Sequence, residues 1–453
     1  MHTRGSERSI LLSWRFWLSS RRPIAFASFI FLLSFVLCGC RQPSTEPVTL
    51  TFLDPEWSHD ARERSMLSDE ALQEFTKQTG IRVKHLPGPE TSLAQLTLTG
   101  DLLRRKAVTP DVYGIDVIWP AMLDEYLVDL KPYFASSLLS EDPEVLANYT
   151  VHDKLVAVPY HADTGILFYR TDLLQKYGYA GPPKTWDELE KMAVRIQEGE
   201  RAKGVKDFWG FVWPGAASEG LTCNALEWQF SEGGGRIIEA NGKISVNNPN
   251  AIKAWERAAH WVGWISPPGV VSYQEWDSIN AFLNSGRAVF LRTWTSDYFL
   301  SHPLELPIQE HVGETSVPGG KFARSSTLGG FGLAVSRSSA HTPEAIKLVQ
   351  FLLLKESKLR ANQVRSPLPK YPELFEMPVI LNVSAPGEKS AAAKVLVRPS
   401  SDTGNKYEAV AQAYIQAVHS VLTRQSKAAE AAANLEKQLV SITGFETGAP
   451  PGN

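Results

Sequence analysis

The chain has 453 residues, of which 43% are hydrophobic and 21% charged, with a formal net charge of −3. That length exceeds what one ordinary hydrophobic core supports, so two domains are expected. The balance is that of a globular protein and excludes a strongly basic nucleic-acid binder.

The first 39 residues read as a leader. A basic stretch, "RGSERSILLSWRFWLSSRR", precedes an apolar run, "PIAFASFIFLLSFVL", and then Cys38-Gly39-Cys40. The run is short for a membrane span, which needs about 20 residues, and the arrangement is that of a secretory signal. Leu37-Cys38-Gly39-Cys40 resembles the lipobox of bacterial lipoproteins. The resemblance implies cleavage before Cys40, lipidation of Cys40 and a membrane-tethered segment over residues 40–46, outside the cytoplasm. Losing residues 1–39 removes five Arg and one Glu, and the formal charge moves from −3 to −7. An acidic mature chain is not expected to take nucleic acid as its partner. Cys223 would be the one thiol left, so no disulfide within the chain is expected.

The mature chain opens with "VTLTFLDPEW", a strand running into a polar loop. "ALQEFTKQTG" follows as an amphipathic helix closed by Gly80. Then come "IRVKHL" (strand), "SLAQLTLTGDLLRRKA" (helix) and "DVYGIDVIW" (strand). Alternation of this kind predicts an α/β fold with a mainly parallel sheet flanked by helices. A second block contains the helix "TWDELEKMAVRIQEGERAKG", with Thr185 as its cap and Glu188 completing a capping box. It continues with the strand "FWGFVW", helices in "LTCNALEWQFSEGGG", "NPNAIKAWERAAHWVGWI" and "SINAFLNSG", and the strand "RAVFLRTW". A third block repeats strand then helix in "TLGGFGLAVSRSSAHTPEAIKLVQFLLLKES", with Thr342 as cap and Pro343 at the first helical position. Two helices end the chain. In the first, Tyr407, Val410, Tyr414, Val418 and Val421 share one face.

The tripeptide Asp-Thr-Gly occurs twice, at 163–165 and 402–404. An aspartic protease carries two such triplets, whose carboxylates share a proton in equivalent β loops. Here the first precedes a strand, "ILFYR", and the second a helix, "NKYEAVAQAY", entered through Thr403. The unlike settings argue against a protease. A glycosidase needs a pair of carboxylates, and no spacing identifies one. No Gly-x-x-x-x-Gly-Lys loop, His-Glu-x-x-His or Gly-x-Ser-x-Gly motif occurs. No catalytic residue, metal or cofactor is therefore assigned.

The stretches "EFTKQTGIRV", "DVYGIDVIWPAMLDEYLVDLKPYF", "VPYHADTGILFYRTDLLQKYG", "PKTWDELEKMA", "EGLTCNALEWQFSEGGG", "FLNSGRAVFLRTW", "TLGGFGLAVS" and "RPSSDTGNKY" occur in that order over almost the whole mature chain. Together they resemble the carbohydrate-binding extracellular solute-binding proteins of ATP-binding-cassette importers, above all the trehalose/maltose-binding kind. The resemblance implies two α/β lobes with a ligand cleft between them: residues 47–158 plus 311–357, and residues 159–310 plus 358–450. It implies a monomer that closes on a di- or oligosaccharide and delivers it to membrane permease subunits, without catalysis. A receptor for a metal, phosphate or polyamine fits the aromatic and mixed polar candidates less well, and a secreted glycosidase is the enzyme alternative.

Sugars offer hydroxyls and apolar C–H faces, so carboxylates, guanidinium groups and aromatic rings are the side chains to seek. Loops at the carboxyl ends of strands come first. Glu56 and Trp57 follow the first strand, and Asp116 ends "DVYGID" where the look-alikes place a sugar-binding aspartate. By resemblance Asp163 faces the cleft, Tyr273 and Glu275 match a Tyr-x-Glu loop with an unusual Trp276 after it, and Arg398 matches an arginine that binds sugar. Trp294, just after a strand, is the best aromatic platform, and Gly329-Gly330 allow close backbone approach. Trp228 reads equally as core or cleft. Arg170 is expected on the far side, paired with a carboxylate.

Overall fold

A computed structural model describes residues 47–54, 69–89, 91–134, 143–294, 308, 311–363 and 394–450. Residues 1–39, Cys40, Glu56 and Trp57 lie outside the described residues.

Eleven strands are described: β1 (Thr49–Asp54), β2 (Arg82–Pro87), β3 (Val112–Asp116), a small hairpin β4 (Thr150–Val151) and β5 (Lys154–Leu155), β6 (Val158–Arg170), β7 (Trp209–Val212), β8 (Ala288–Trp294), β9 (Val312–Ser316), β10 (Ser325–Val335) and β11 (Lys394–Leu396). All but the hairpin join one sheet in the order β2-β1-β3-β10-β6-β8-β7, with β11 on β10 and β9 on β6. The flanks are parallel, β1 with β2 and β3, and β7 with β8. The middle is antiparallel, where β10 pairs with β3 and β6, and β6 pairs with β8 and β9. Parallel flanks follow from the strand-helix alternation, since each crossover helix returns the chain in the same direction. The long helices are α1 (Asp69–Thr79), α2 (Ser92–Arg104), α3 (Trp186–Ala202), α4 (Glu219–Ser231), α5 (Pro249–Trp261), α6 (Thr342–Gln363), α7 (Tyr407–Leu422) and α8 (Ala428–Thr443).

Two large hydrophobic cores form. One gathers Leu50, Phe52, Phe75, Val112, Ile115, Val158, Leu333 and Leu348. The other gathers Leu167, Trp186, Phe211, Trp213, Trp228, Trp255, Trp261, Phe290, Val410 and Leu435. Strands β6 and β10 run between them. Trp228 belongs to the second core, edge-on to Trp213 at 5.0 Å and to Trp261 at 5.5 Å between ring centroids. Rings of this size each bury roughly 150–250 Å². The face drawn through Tyr407, Val410, Tyr414, Val418 and Val421 of α7 is buried throughout. Arg170 pairs with Asp172 at 2.7 Å.

Four local expectations shift. Thr185 caps α3 by accepting from Glu188 N–H at 3.2 Å, but the Glu188 carboxylate accepts from Lys184 N–H at 2.6 Å instead of closing the box on Thr185. Thr342 is the first residue of α6, and its hydroxyl donates to Ser339 O, so the cap falls one residue earlier. Thr403 donates its hydroxyl to Pro399 O at 2.6 Å, closing a short turn instead of capping α7. Strand β9 pairs with the Ile166–Arg170 half of β6, and Val312 packs with Ile166 and Phe168. Leu328 is the first residue after this strand to enter the first core.

Candidate functional site

The site grows from the middle of the sheet. Register sets Phe331 opposite Asp116, Gly329 opposite Asp163 and Gly165 opposite Trp294. Side chains alternate along a strand, and directly paired residues share a face. Asp163, Gly165, Arg292, Trp294 and Gly329 therefore lie on one face, and α4 packs on it through Glu227 and Cys223.

Gly329 is a glycine because of Trp294: a Cβ there would lie 2.8 Å from Trp294 Cζ3. Gly330 has φ +119°, a backbone setting that side chains avoid, and its carbonyl accepts from Val117 N–H at 3.0 Å. Trp294 is half-buried, with the Arg292 guanidinium carbon 4.3 Å from its ring centroid. Asp163 is buried, and its Oδ1 accepts from Thr164 N–H at 2.8 Å.

Arg398 is the hub. Its Nη1 donates to Glu219 Oε1 at 3.0 Å, its Nη2 donates to the Leu328 carbonyl at 3.2 Å, and Nη2 lies 3.5 Å from Asp116 Oδ1. The Tyr407 hydroxyl donates to the same Glu219 oxygen at 2.5 Å. Asp116 also accepts from Ile118 N–H at 3.2 Å and from the Ser92 hydroxyl at 3.5 Å. Burial raises the carboxyl groups of Asp116 and Glu219 above their usual range, against the opposing pull of Arg398. Arg398 thus ties a carboxylate at the end of β3 to one at the start of α4.

Glu275 opens a short helix beside this cluster. A Cβ on Gly220 would meet its Oε1 at 2.3 Å, so the carboxylate rests on the first turn of α4. Burial raises its carboxyl as well. Tyr273 turns elsewhere. Its ring lines a pocket of about 350 Å³ with Asp207, Trp209, Asp277 and Arg287, at the opposite end of β8 from Trp294. The structure thus brings together Asp116, Asp163, Trp294, Gly329, Gly330 and Arg398, sets Glu275 beside them and leaves Tyr273 apart.

Glu219, Tyr407 and the Arg292–Glu227 pair belong to this neighbourhood and were not singled out in the sequence. One signal was available: Arg292 sits inside the apolar strand "AVFLRTW", and a buried cation demands a partner. Among the described residues no group of His, Cys, Asp and Glu gathers as a metal site. No helix among them is long and apolar enough to cross a membrane.

The site residues gather where β3, β10, β6 and β8 meet in the middle of the sheet, and comparisons with known proteins bear on the fold. The profile of the bacterial extracellular solute-binding proteins matches residues 63–359. A probable ABC transporter-binding protein of Deinococcus radiodurans is 40% identical over 376 residues, covering 82% of this chain and 89% of its own. An arabinooligosaccharide-binding protein of Bacillus subtilis is 23% identical over 50% of each chain. Maltose-bound T. maritima MalE3 superposes with a TM-score of 0.75 at 30% identity, over 87% of this chain and all of that one. The GacH receptor of Streptomyces glaucescens, solved with acarbose, superposes at 0.69 with 20% identity over 89% of this chain and all of its own, a likeness of fold alone. The chain belongs to the bacterial extracellular solute-binding protein family and has its two-lobed fold.

Proposed function

We propose that this protein is the sugar-binding component of an ABC importer, taking a neutral di- or oligosaccharide of the trehalose/maltose type between its lobes. It would then hand the sugar to permease subunits. The observation that carries this reading is the convergence of Asp116, Asp163, Arg398 and Trp294 around Gly329-Gly330. Carboxylates and a guanidinium group match sugar hydroxyls, and an indole matches a sugar face. Glu275 extends the set, and Glu56 and Trp57, outside the described residues, are proposed as further ligand contacts. Charge-assisted hydrogen bonds contribute roughly 1.5–3 kcal/mol each, so a few reach micromolar affinity, about −8 kcal/mol. The ligand named for MalE3, maltose, supports the sugar class.

Charge supports a neutral ligand. Asp116, Asp163, Glu219 and Glu275 outnumber Arg398 at the site. A phosphorylated polyol, named for the relative UgpB of Agrobacterium fabrum, would face net repulsion there.

The crossing strands support a reading by closure. β6 carries Val158 in one core and Leu167 in the other, and β10 runs beside it. A ligand touched from both sides favours the closed form by its differential affinity. Residues 47–158 with the β10–α6 return form one lobe in this reading, and β6 to β9 with the C-terminal helices form the other. A lipid on Cys40 would hold the receptor at the membrane surface.

The test is a thermal-shift panel of trehalose, maltose, sucrose, longer glucans and glycerol 3-phosphate, followed by small-angle scattering. The reading expects a raised melting temperature and compaction with at least one neutral sugar. Stabilisation by glycerol 3-phosphate alone, or no compaction with any sugar, overturns it.

A further inference from the structure

Beneath the indole of Trp294 lies an ion pair that the binding scheme above does not use. Arg292 Nη2 donates to Glu227 Oε1 at 2.6 Å, and Nε donates to Oε2 at 3.1 Å. Both side chains are sealed from solvent, at 1% and 0% exposure. Desolvating two charges costs several kcal/mol each, so a buried pair is weak evidence of stabilisation by itself. Apolar residues of similar volume would hold a core at least as well, which leaves the pair to be explained by something other than stability.

Four features point the same way. The guanidinium carbon sits 4.3 Å from the Trp294 ring centroid, within cation–π range. Arg292 Nη1 is buried and donates to no oxygen among the described residues, so the donors on the other side fix the group while the ring occupies its face. Glu227 is itself held, since its Oε1 accepts from Thr327 N–H on β10 at 3.0 Å. The backbone yields to the pair as well: a Cβ on Gly165 would lie 2.2 Å from Arg292 Nη2 and 2.4 Å from Glu227 Oε1. The indole is therefore wedged between Gly329 and a cation that is anchored to both α4 and β10.

We infer that the Arg292–Glu227 pair is a positioning device for Trp294, fixing the indole as a preorganised sugar platform before any ligand arrives. Arg292 and Glu227 touch no ligand; they act through Trp294. A platform with one orientation loses less freedom on binding than one that must be ordered by the sugar. The pair rests on the sugar-binding reading for its purpose, but its effect on Trp294 is readable without ligand.

The test uses a double substitution, Arg292→Met with Glu227→Gln, which leaves no buried charge unpaired, in wild-type and Trp294→Ala backgrounds. Arg292→Lys, which keeps the charge but loses the planar face, is the conservative control. Affinity is measured by calorimetry with whichever disaccharide stabilises the wild type. Expected is a loss of about ten-fold in the wild-type background and less than two-fold in the Trp294→Ala background, because coupled residues are non-additive. Arg292→Lys should recover only part of the loss. Equal losses in both backgrounds overturn the inference, since the pair would then act on the fold at large. The ligand-free readout is acrylamide quenching of the Trp294 fluorescence, obtained by difference from Trp294→Phe. Expected is greater quenching in the double variant; unchanged quenching also overturns the inference. A wild type that binds no sugar sinks the functional reading while this second measurement still decides on the pair.

Discussion

Asp163-Thr164-Gly165 and Asp402-Thr403-Gly404 share their three residues and little else. In the first, Asp163 and Thr164 are buried in β6, and Gly165 gives up its Cβ space to Arg292 and Glu227. In the second, Asp402 is exposed on a short helical turn, Thr403 bonds back to Pro399 and Gly404 takes φ +52° with only Ala121 O, 3.9 Å away, near a Cβ. One glycine is needed for space and the other for backbone angle. The lesson is that a tripeptide carries no chemistry until the pairing of its strand, or its turn, says what faces it.

The sharpest break of the comparison is at the two glycines. Gly165→Ala forces a methyl group into the buried ion pair, and disrupting such a pair costs about 3–5 kcal/mol. Denaturant unfolding should show a loss of that size. A loss below about 1 kcal/mol would mean that the pair has room to move. The two aspartates come next. Asp163→Ala should weaken sugar binding by roughly 10–100-fold, the worth of one charge-assisted hydrogen bond, in a calorimetric titration with the fold retained by circular dichroism. Gly404→Ala should cost about 1–3 kcal/mol of stability, from backbone strain alone, and should leave affinity unchanged.

These contrasts also measure how far the chain could be read in advance. The helix end at Gly80, the buried face of α7 and the strand-helix order were all legible, because capping and periodicity are local. Asp116, Asp163 and Arg398 were named from their places in matching stretches and Trp294 from its position at the end of a strand, and the fold brings them to one region. Glu219 and Tyr407 escaped because nothing local to "SEGLT" or "NKYEA" announces that both meet Arg398. Tyr273 was named beside Glu275, yet side chains two residues apart leave a turn in different directions, and its ring faces Asp207 and Asp277. The pairing of β9 with β6 went unread because partners 142 to 150 residues apart, Arg170 with Val312 and Ile166 with Ser316, have no local signature.

Acidity should act on the carboxylates gathered at Arg398 next. Asp116 and Glu219 have folded pKa values raised by burial above those of the unfolded chain. Their contribution to stability is therefore full below the ordinary carboxylate range and is lost as pH rises through the raised values. Binding runs the other way, because the ionised carboxylate is the hydroxyl acceptor. On acidification from neutral pH, sugar affinity should fall by about three-fold or more, beginning above the range in which a solvent-exposed carboxylate titrates, without parallel loss of melting temperature from these two groups. Calorimetry across pH reads it, and Asp116→Asn should flatten the profile at reduced affinity.

The smallest effect is expected at Asp402, and it decides the most about the repeated triplet. Were the two aspartates partners in one chemistry, removing either would abolish it, since a shared-proton pair needs both carboxylates. Asp402 is exposed, and it lies on the turn after Arg398. Asp402→Ala should therefore change stability by less than about 0.5 kcal/mol, as exposed substitutions usually do, and sugar affinity by less than two-fold. A loss matching that of Asp163→Ala would mean that the second triplet reaches the ligand after all, and the separation drawn between the two regions would fail.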